Sequence, residues 1–193
     1  MKTIRLFFAL VITLLSVDSY SQNSNEFRLY FGTSDAELLK EPMLGGAGYQ
    51  NEKINEFGIK YLRQFSPGFS IETGINYSKR DIKITPEFMG TAIQSRYEKL
   101  EIVSVAIYAN YTFWRYIFVN GGPIIDFQLS DNSTDSESGI GFGIGVGAKY
   151  NFSKFLVFIN PNLKRHSILS FEKENYDQNL TEFGVQIGVG YKF

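Results

Sequence analysis

Residues 139–152, "GIGFGIGVGAKYNF", alternate in strict order. Ile140, Phe142, Ile144, Val146, Ala148, Tyr150 and Phe152 share one parity, while Gly139, Gly141, Gly143, Gly145, Gly147, Lys149 and Asn151 share the other. A period of two marks a β-strand with unlike faces, because successive side chains leave a strand on opposite sides. The C-terminal stretch follows the same rule: Phe183, Val185, Ile187, Val189, Tyr191 and Phe193 alternate with Gly184, Gln186, Gly188, Gly190 and Lys192. The alternation recurs with Phe57, Ile59, Tyr61 and Phe65, with Phe69, Ile71, Ile75 and Tyr77, and with Val103, Val105, Ile107, Ala109, Tyr111 and Phe113. Runs at 27–31, 117–129 and 155–163 complete eight predicted strands.

The connections alternate in length. Three are very short, at "SPG" (66–68), "TFWRY" (112–116) and "FSKF" (152–155), and four are longer and polar, at about 35–52, 80–96, 130–138 and 172–179. This pattern predicts an all-β fold: an eight-stranded antiparallel transmembrane β-barrel, an up-and-down meander with both termini periplasmic. An even number of strands closes the sheet without edges. Phe65, Phe69, Phe113, Trp114, Tyr116, Phe152, Phe155 and Phe193 all fall at the short-turn end, where they form a periplasmic aromatic girdle. A soluble barrel of lipocalin type has the same alternation with its faces reversed. It would expose the glycine face to water, where glycine adds no packing and weakens a strand. The glycine spacing also excludes a dinucleotide fingerprint, since G-x-G-x-x-G needs a change of parity that Gly139 to Gly147 never makes. Pro123 and Pro161 fall in mid-strand, where each removes a ladder donor, so a bulge or kink is expected near "NGGP" and "NPN".

Composition adds an address and removes several chemistries. Lys2 and Arg5 precede an uncharged apolar run at 6–15, and "SYS" precedes Gln22. These features predict a signal peptide over 1–21, cleaved after Ser21, and a barrel domain over 22–193. The apolar run is shorter than the roughly 20 residues a spanning helix needs. Mean hydropathy is −0.12 despite 18 Phe and 12 Tyr, so the greasy residues are dispersed, as alternation requires. Lys and Arg total 19 against 20 Asp and Glu, which leaves no basic field for nucleic acid. Cysteine is absent, which removes disulfides, thiolate metal sites and thiol nucleophiles.

In its signal ending "SYSQ", its strands such as "GFGIGVGAKYNF" and its terminal "GVQIGVGYKF", the chain resembles the outer-membrane β-barrel proteins of Bacteroidetes, the PorT-like group. The resemblance covers nearly the whole chain and implies residence in the outer membrane and kinship with proteins of secretion and gliding machinery. Its motifs are architectural, so no residue role is carried over.

An eight-stranded barrel has an interior just wide enough to be filled by side chains, so no diffusive pore is expected. The inward parity carries Arg28, Glu56, Lys60, Glu72, Asp126, Lys149, Lys164, Glu182 and Lys192. Both signs are present, and a paired network that fixes register and shape is the expected arrangement, because an unpartnered buried ion is strongly unfavourable. Arg28, Lys60, Glu72, Lys149 and Lys192 count as low, near the short turns, and the other four as higher.

His166 is the only histidine. It is expected at the polar rim, near the outer end of the seventh strand. Lipid A deacylases on similar barrels hold a His and a Ser two residues apart on the lipid side, but here the residue two beyond His166 is Ile168 and His166 has inward parity. The loop "SDNSTDSES" offers Asp131, Asp135 and Glu137 but lacks the glycine and terminal glutamate of an EF-hand register. No catalytic residue, metal or cofactor is expected.

The function expected is a structural or interaction role. An outer-membrane esterase and a small transport or channel barrel are the alternatives. The expected partners are outer-membrane lipid, the barrel-assembly machinery during insertion, and other envelope proteins through the long loops. The first loop, with "AELLKEPML", reads as a short helix or contact segment, and the second, with "IKITPEFMG", as strand extension. The glycine stripe reads as space for bulky inward neighbours: Tyr116, Phe118 and Ile124 on one side, Leu156 and Phe158 on the other.

Overall fold

A computed structural model describes residues 25–39, 48–51, 54–85, 96–130, 138–171 and 179–193. The signal peptide expected at 1–21, with its cleavage point, and most of the four long connections lie outside the described residues.

Among the described residues nine strands follow in chain order: β1 (Asn25–Leu39), β2 (Gly48–Asn51), β3 (Ile54–Ser66), β4 (Phe69–Thr85), β5 (Arg96–Phe113), β6 (Ile117–Gln128), β7 (Gly139–Phe152), β8 (Phe155–Ser170) and β9 (Asn179–Lys192). Eight of them close a ring in the order β4, β3, β1, β9, β8, β7, β6, β5, with β5 pairing back to β4. Every pairing is antiparallel, and β1 meets β9 from Glu26↔Lys192 to Leu39↔Asn179. The short β2 continues the line of β3 along the tip of β4, from Gly48↔Thr85 to Asn51↔Ile82. The fold is thus a closed eight-stranded antiparallel barrel.

The faces are those of a membrane barrel. Phe31, Phe57, Ile75, Ile144, Val146, Phe183 and Ile187 are exposed on the outside, while Arg28, Lys60, Glu72, Asp126, Lys164 and Glu182 are buried inside. A soluble barrel would reverse this, since water rather than lipid would meet the outer face. Among the described residues no helix is long and apolar enough to cross a membrane.

The strands exceed the lengths read from the sequence. A tilted spanning strand needs about 9 to 11 residues, whereas β4 has 17 and β5 has 18. β4 and β5 stay paired up to Ile84↔Arg96, so "IKIT" is strand extension. β1 runs to Leu39, so residues 36–39 of the first loop are strand rather than helix, held by β9 from Ala36↔Glu182 to Leu39↔Asn179. Residues 40–47, 86–95, 131–137 and 172–178 lie outside the described residues, and with them Asp131, Asp135 and Glu137.

Neither proline produces the expected bulge. The β5–β6 ladder skips from Ala106↔Ile124 to Ala109↔Gly121, and β7–β8 from Gly145↔Asn162 to Ala148↔Ile159, both without a change of register. Each proline remains paired on its other side, Pro123 with Phe142 and Pro161 with Val185. The missing N–H therefore removes rungs locally while the neighbouring ladder holds the strand in step. Register shifts occur instead between Gln64 and Ser66 beside a turn, and where Ile140↔Leu169 gives way to Phe142↔Arg165. At the second, β8 bulges with Ser167 at φ 50°. Gly141 makes room for it, because a Cβ there would lie 2.3 Å from the Arg165 carbonyl oxygen.

Candidate functional site

All five glycines from Gly139 to Gly147 face inward and are buried. A Cβ on Gly143 would lie 2.1 Å from Tyr108 Oη, and one on Gly147 would lie 2.3 Å from Phe118 Cζ. Tyr116, read as an inward neighbour of the stripe, is exposed, since the turn before β6 puts it on the outer face. Tyr108 of β5 fills that space instead, reaching across β6. Phe158 and Leu156 turn away to the second glycine strand: Phe158 approaches Gly188 and Leu156 approaches Gly190. Glycine on β7 and β9 thus accommodates large side chains from neighbouring strands, Phe118 opposite Gly147, Phe158 opposite Gly188 and Leu156 opposite Gly190 in the ladders, with Tyr108 arriving from one strand farther.

Along the lumen the polar side chains form layers among this packing. Nearest the short turns, Glu26 accepts from Arg28, with Lys149 Nζ at 3.3 Å and Lys192 Nζ at 3.4 Å. Arg28 is fully buried, and its guanidinium lies 5.3 Å from the Phe118 ring centroid and 5.1 Å from that of Phe158. Tyr30, Phe118, Leu156 and Phe158 form the apolar cluster at this level. Next comes Glu72, which meets Lys60 Nζ at 2.8 Å and accepts from Asn110 at 2.8 Å and Asn120 at 3.2 Å. Lys60 also donates to Gln186, 2.8 Å away, and Gln186 donates to Glu56 at 2.8 Å. Glu56 accepts in turn from Lys164 and from Asn76.

Farthest from the short turns, Asp126 on β6, His166 on β8, Glu182 on β9 and Arg80 on β4 meet. His166 Nδ1 is 2.8 Å from Asp126 Oδ2, its Nε2 is 3.4 Å from Glu182 Oε2, and Arg80 is 2.6 Å from Glu182 Oε1. Both ring nitrogens face carboxylates, and both donate only in the imidazolium form. Among the described residues no group of His, Asp and Glu is arranged to hold a metal ion.

Every charged residue of the inward parity therefore lies inside, and each takes part in this network. His166 differs from the rim position expected of it: it is only 4% exposed, because β1, β4 and β5 continue past it and bury Ile54, Leu100 and Ile102 beside that end. Reading by charge missed three kinds of member. Glu26 has the parity of Arg28 but precedes the first apolar residue of its run. Arg80 has the parity of Glu72 but was assigned to a loop. The amides Asn76, Asn110, Asn120, Asn160 and Gln186 are neutral, yet each is buried and bonded into the network. Inward parity on its own would have found all three kinds.

On the outside, the aromatic residues of the short-turn end point away from the barrel. Phe65, Phe113, Trp114, Tyr116, Phe152, Phe155 and Phe193 are exposed and Phe69 is half-buried. Phe152 and Phe155 stack at 6.1 Å, Phe155 meets Tyr191 at 5.4 Å, and Tyr191 stacks with Phe193 at 6.3 Å. Such rings suit the boundary between hydrocarbon and headgroups.

The same architecture recurs in solved outer-membrane barrels. OprG from Pseudomonas aeruginosa superposes with a TM-score of 0.54 at 14% identity, over 89% of this chain and 96% of that one. Ail, the attachment invasion locus protein of Yersinia pestis, solved in complex with the heparin analogue sucrose octasulfate, gives 0.52 at 13% identity, over 90% and 100%. AlkL, solved by solid-state NMR in DMPC bilayers, gives 0.52 at 16% identity, over 92% and 94%. At these identities the likeness is one of fold. No curated protein sequence matches the chain. The sequence pattern of the family described as outer membrane protein beta-barrel domain matches residues 7–193, so the chain belongs to that family and is a β-barrel protein of the outer membrane.

Proposed function

We propose that the protein is a non-catalytic scaffold of the outer membrane that acts by contact, with its short turns and termini in the periplasm and its long connections presented on the opposite side. The observation that supports this reading is the filled waist. Phe118, Ile124, Leu156, Glu72 and Asn110 are almost completely buried across the lumen, which leaves side chains where a channel would need water. His166 favours the same reading, since a ring held between two carboxylates serves packing and register more readily than proton abstraction from a substrate. The partners are outer-membrane lipid around the barrel, the barrel-assembly machinery during insertion, and envelope proteins that meet the long connections. Kinship with the PorT-like group points to secretion machinery as the setting, on the strength of the glycine and aromatic strands quoted above.

Cross-linking in intact outer membranes tests the contact role. Because the chain has no cysteine, single substitutions Lys40→Cys and Gly90→Cys carry a photoreactive probe to the long connections, and Ser153→Cys carries it to a short turn. A discrete protein adduct is expected from the first two. Unitary conductance steps in a planar bilayer, or deacylation of lipid A that disappears in His166→Ala, would overturn the reading.

A further inference from the structure

The cations at the short-turn mouth exceed the acid available to them. A pocket of about 210 Å³ opens there, and Arg115, Lys149 and Lys192 line it together with the hydroxyl residues Ser70 and Thr112. Among the described residues that line it, Glu26 is the one acid. That carboxylate is already shared by Arg28, Lys149 and Lys192. One carboxylate does not neutralise the three cationic residues of the lining, so a further negative group in the pocket would be drawn to them.

A second observation comes from the backbone. Tyr116 N donates to Phe113 O at 3.2 Å, and the two residues between, Trp114 and Arg115, have φ of 44° and 69°. This is a type I′ turn, whose central positions favour Asn and Gly because larger L-residues are strained at positive φ. The turn requires neither side chain. Trp114 projects outward, 81% exposed, whereas Arg115 lines the pocket, so the strained backbone aims the two in different directions. Strain kept where glycine would relieve it is a mark of a used position.

We infer that the short-turn mouth is an anion-binding site, in which Arg115, Lys149 and Lys192 receive a phosphate or carboxylate group and Ser70 and Thr112 supply neutral donors. The volume accommodates a small tetrahedral anion with some of its water, taking about 30 Å³ for each water. Glu26 holds the two lysines in place and keeps the site from carrying the full repulsion of its cations.

The test is calorimetric titration of the full-length folded barrel, in a detergent without phosphate, with inorganic phosphate and separately with acetate. Saturable binding of phosphate at low salt is expected. Acetate binding as well would extend the site to carboxylates. Arg115→Gly puts the favoured residue into the turn and so retains the fold, as heat-modifiable migration will report. It should weaken binding at least about tenfold, the loss of one charge-assisted hydrogen bond. Lys192→Gln should weaken it similarly. Repeating the titration in nanodiscs with and without phosphatidylglycerol separates the sources, because a headgroup that occupies the site will weaken the binding of free phosphate. Binding of neither anion, or binding unchanged in both variants, overturns the inference.

Discussion

At the end of the barrel away from the short turns, Arg80 and His166 face Glu182 and Asp126, two bases against two acids, and all four are buried. At the short-turn end, Arg28, Lys149 and Lys192 converge on the single carboxylate of Glu26, and Lys192 remains 26% exposed. The same residue types thus make a closed, matched cluster at one end and an open, cation-rich one at the other. Solvent explains the difference. A group walled in by β1, β4 and β5 must be neutralised by protein, whereas one at a mouth can rely on water or a ligand. The first cluster is therefore a device of register and shape. The second is free to bind.

This contrast requires a waist that keeps the ends apart, and the largest effect comes from disrupting it. Gly143→Leu drives side-chain atoms into Tyr108 and Ile124, whose atoms would lie 2.1 and 3.0 Å from its Cβ. Overpacking of this kind exceeds the roughly 1 to 3 kcal/mol of an added methylene group in a packed core, so the heat-modifiable folded band should be lost. A normal yield of that band would mean that the stripe does not set the packing.

Next in size, Glu182→Gln removes the carboxylate between His166 and Arg80. Breaking a buried pair costs about 3 to 5 kcal/mol, to be read from urea midpoints in lipid vesicles. Glu26→Gln should cost about 3 kcal/mol, the low end of that range, because it leaves Arg28 buried without its carboxylate while water still reaches Lys192 at the mouth. Equal losses at the two ends would erase the contrast. Raising salt from about 0.05 to 0.5 M sharpens it, since screening should reduce the Glu26→Gln effect and leave that of Glu182→Gln unchanged.

The smallest effect is Arg115→Gly, expected to stabilise the barrel by about 1 kcal/mol as it relieves positive φ. The same variant should lose anion binding. Destabilisation would mean that the arginine serves the turn itself.

Most of the barrel is legible in the sequence. The strict alternation of 139–152 and 183–193 determined which residues face in, because the pleat sends neighbours to opposite faces whatever lies around them. Short and long connections gave the meander, and the aromatic residues marked one end. The start of the first loop was misread as helix, because residues 36–39 are held as strand by pairing to β9 rather than by a strong alternation of their own. The mid-strand prolines suggested bulges that the neighbouring ladders suppress. The bulge in β8 lies instead opposite Gly141, whose missing side chain leaves room for the Arg165 carbonyl.

What the sequence determined by itself is therefore parity and order: eight strands, an ionic inside, an apolar outside and two strands of glycine. Which charge meets which was decided only by the closed barrel. Arg80 reaches Glu182 across 102 positions of chain, and Lys60 reaches Gln186 across 126. Those meetings depend on the summed registers of every ladder around the ring. Parity is local to a strand, but height in the lumen is a property of the whole circuit. The same closure gathers three cations around Glu26 at one mouth and seals His166 between two carboxylates near the other.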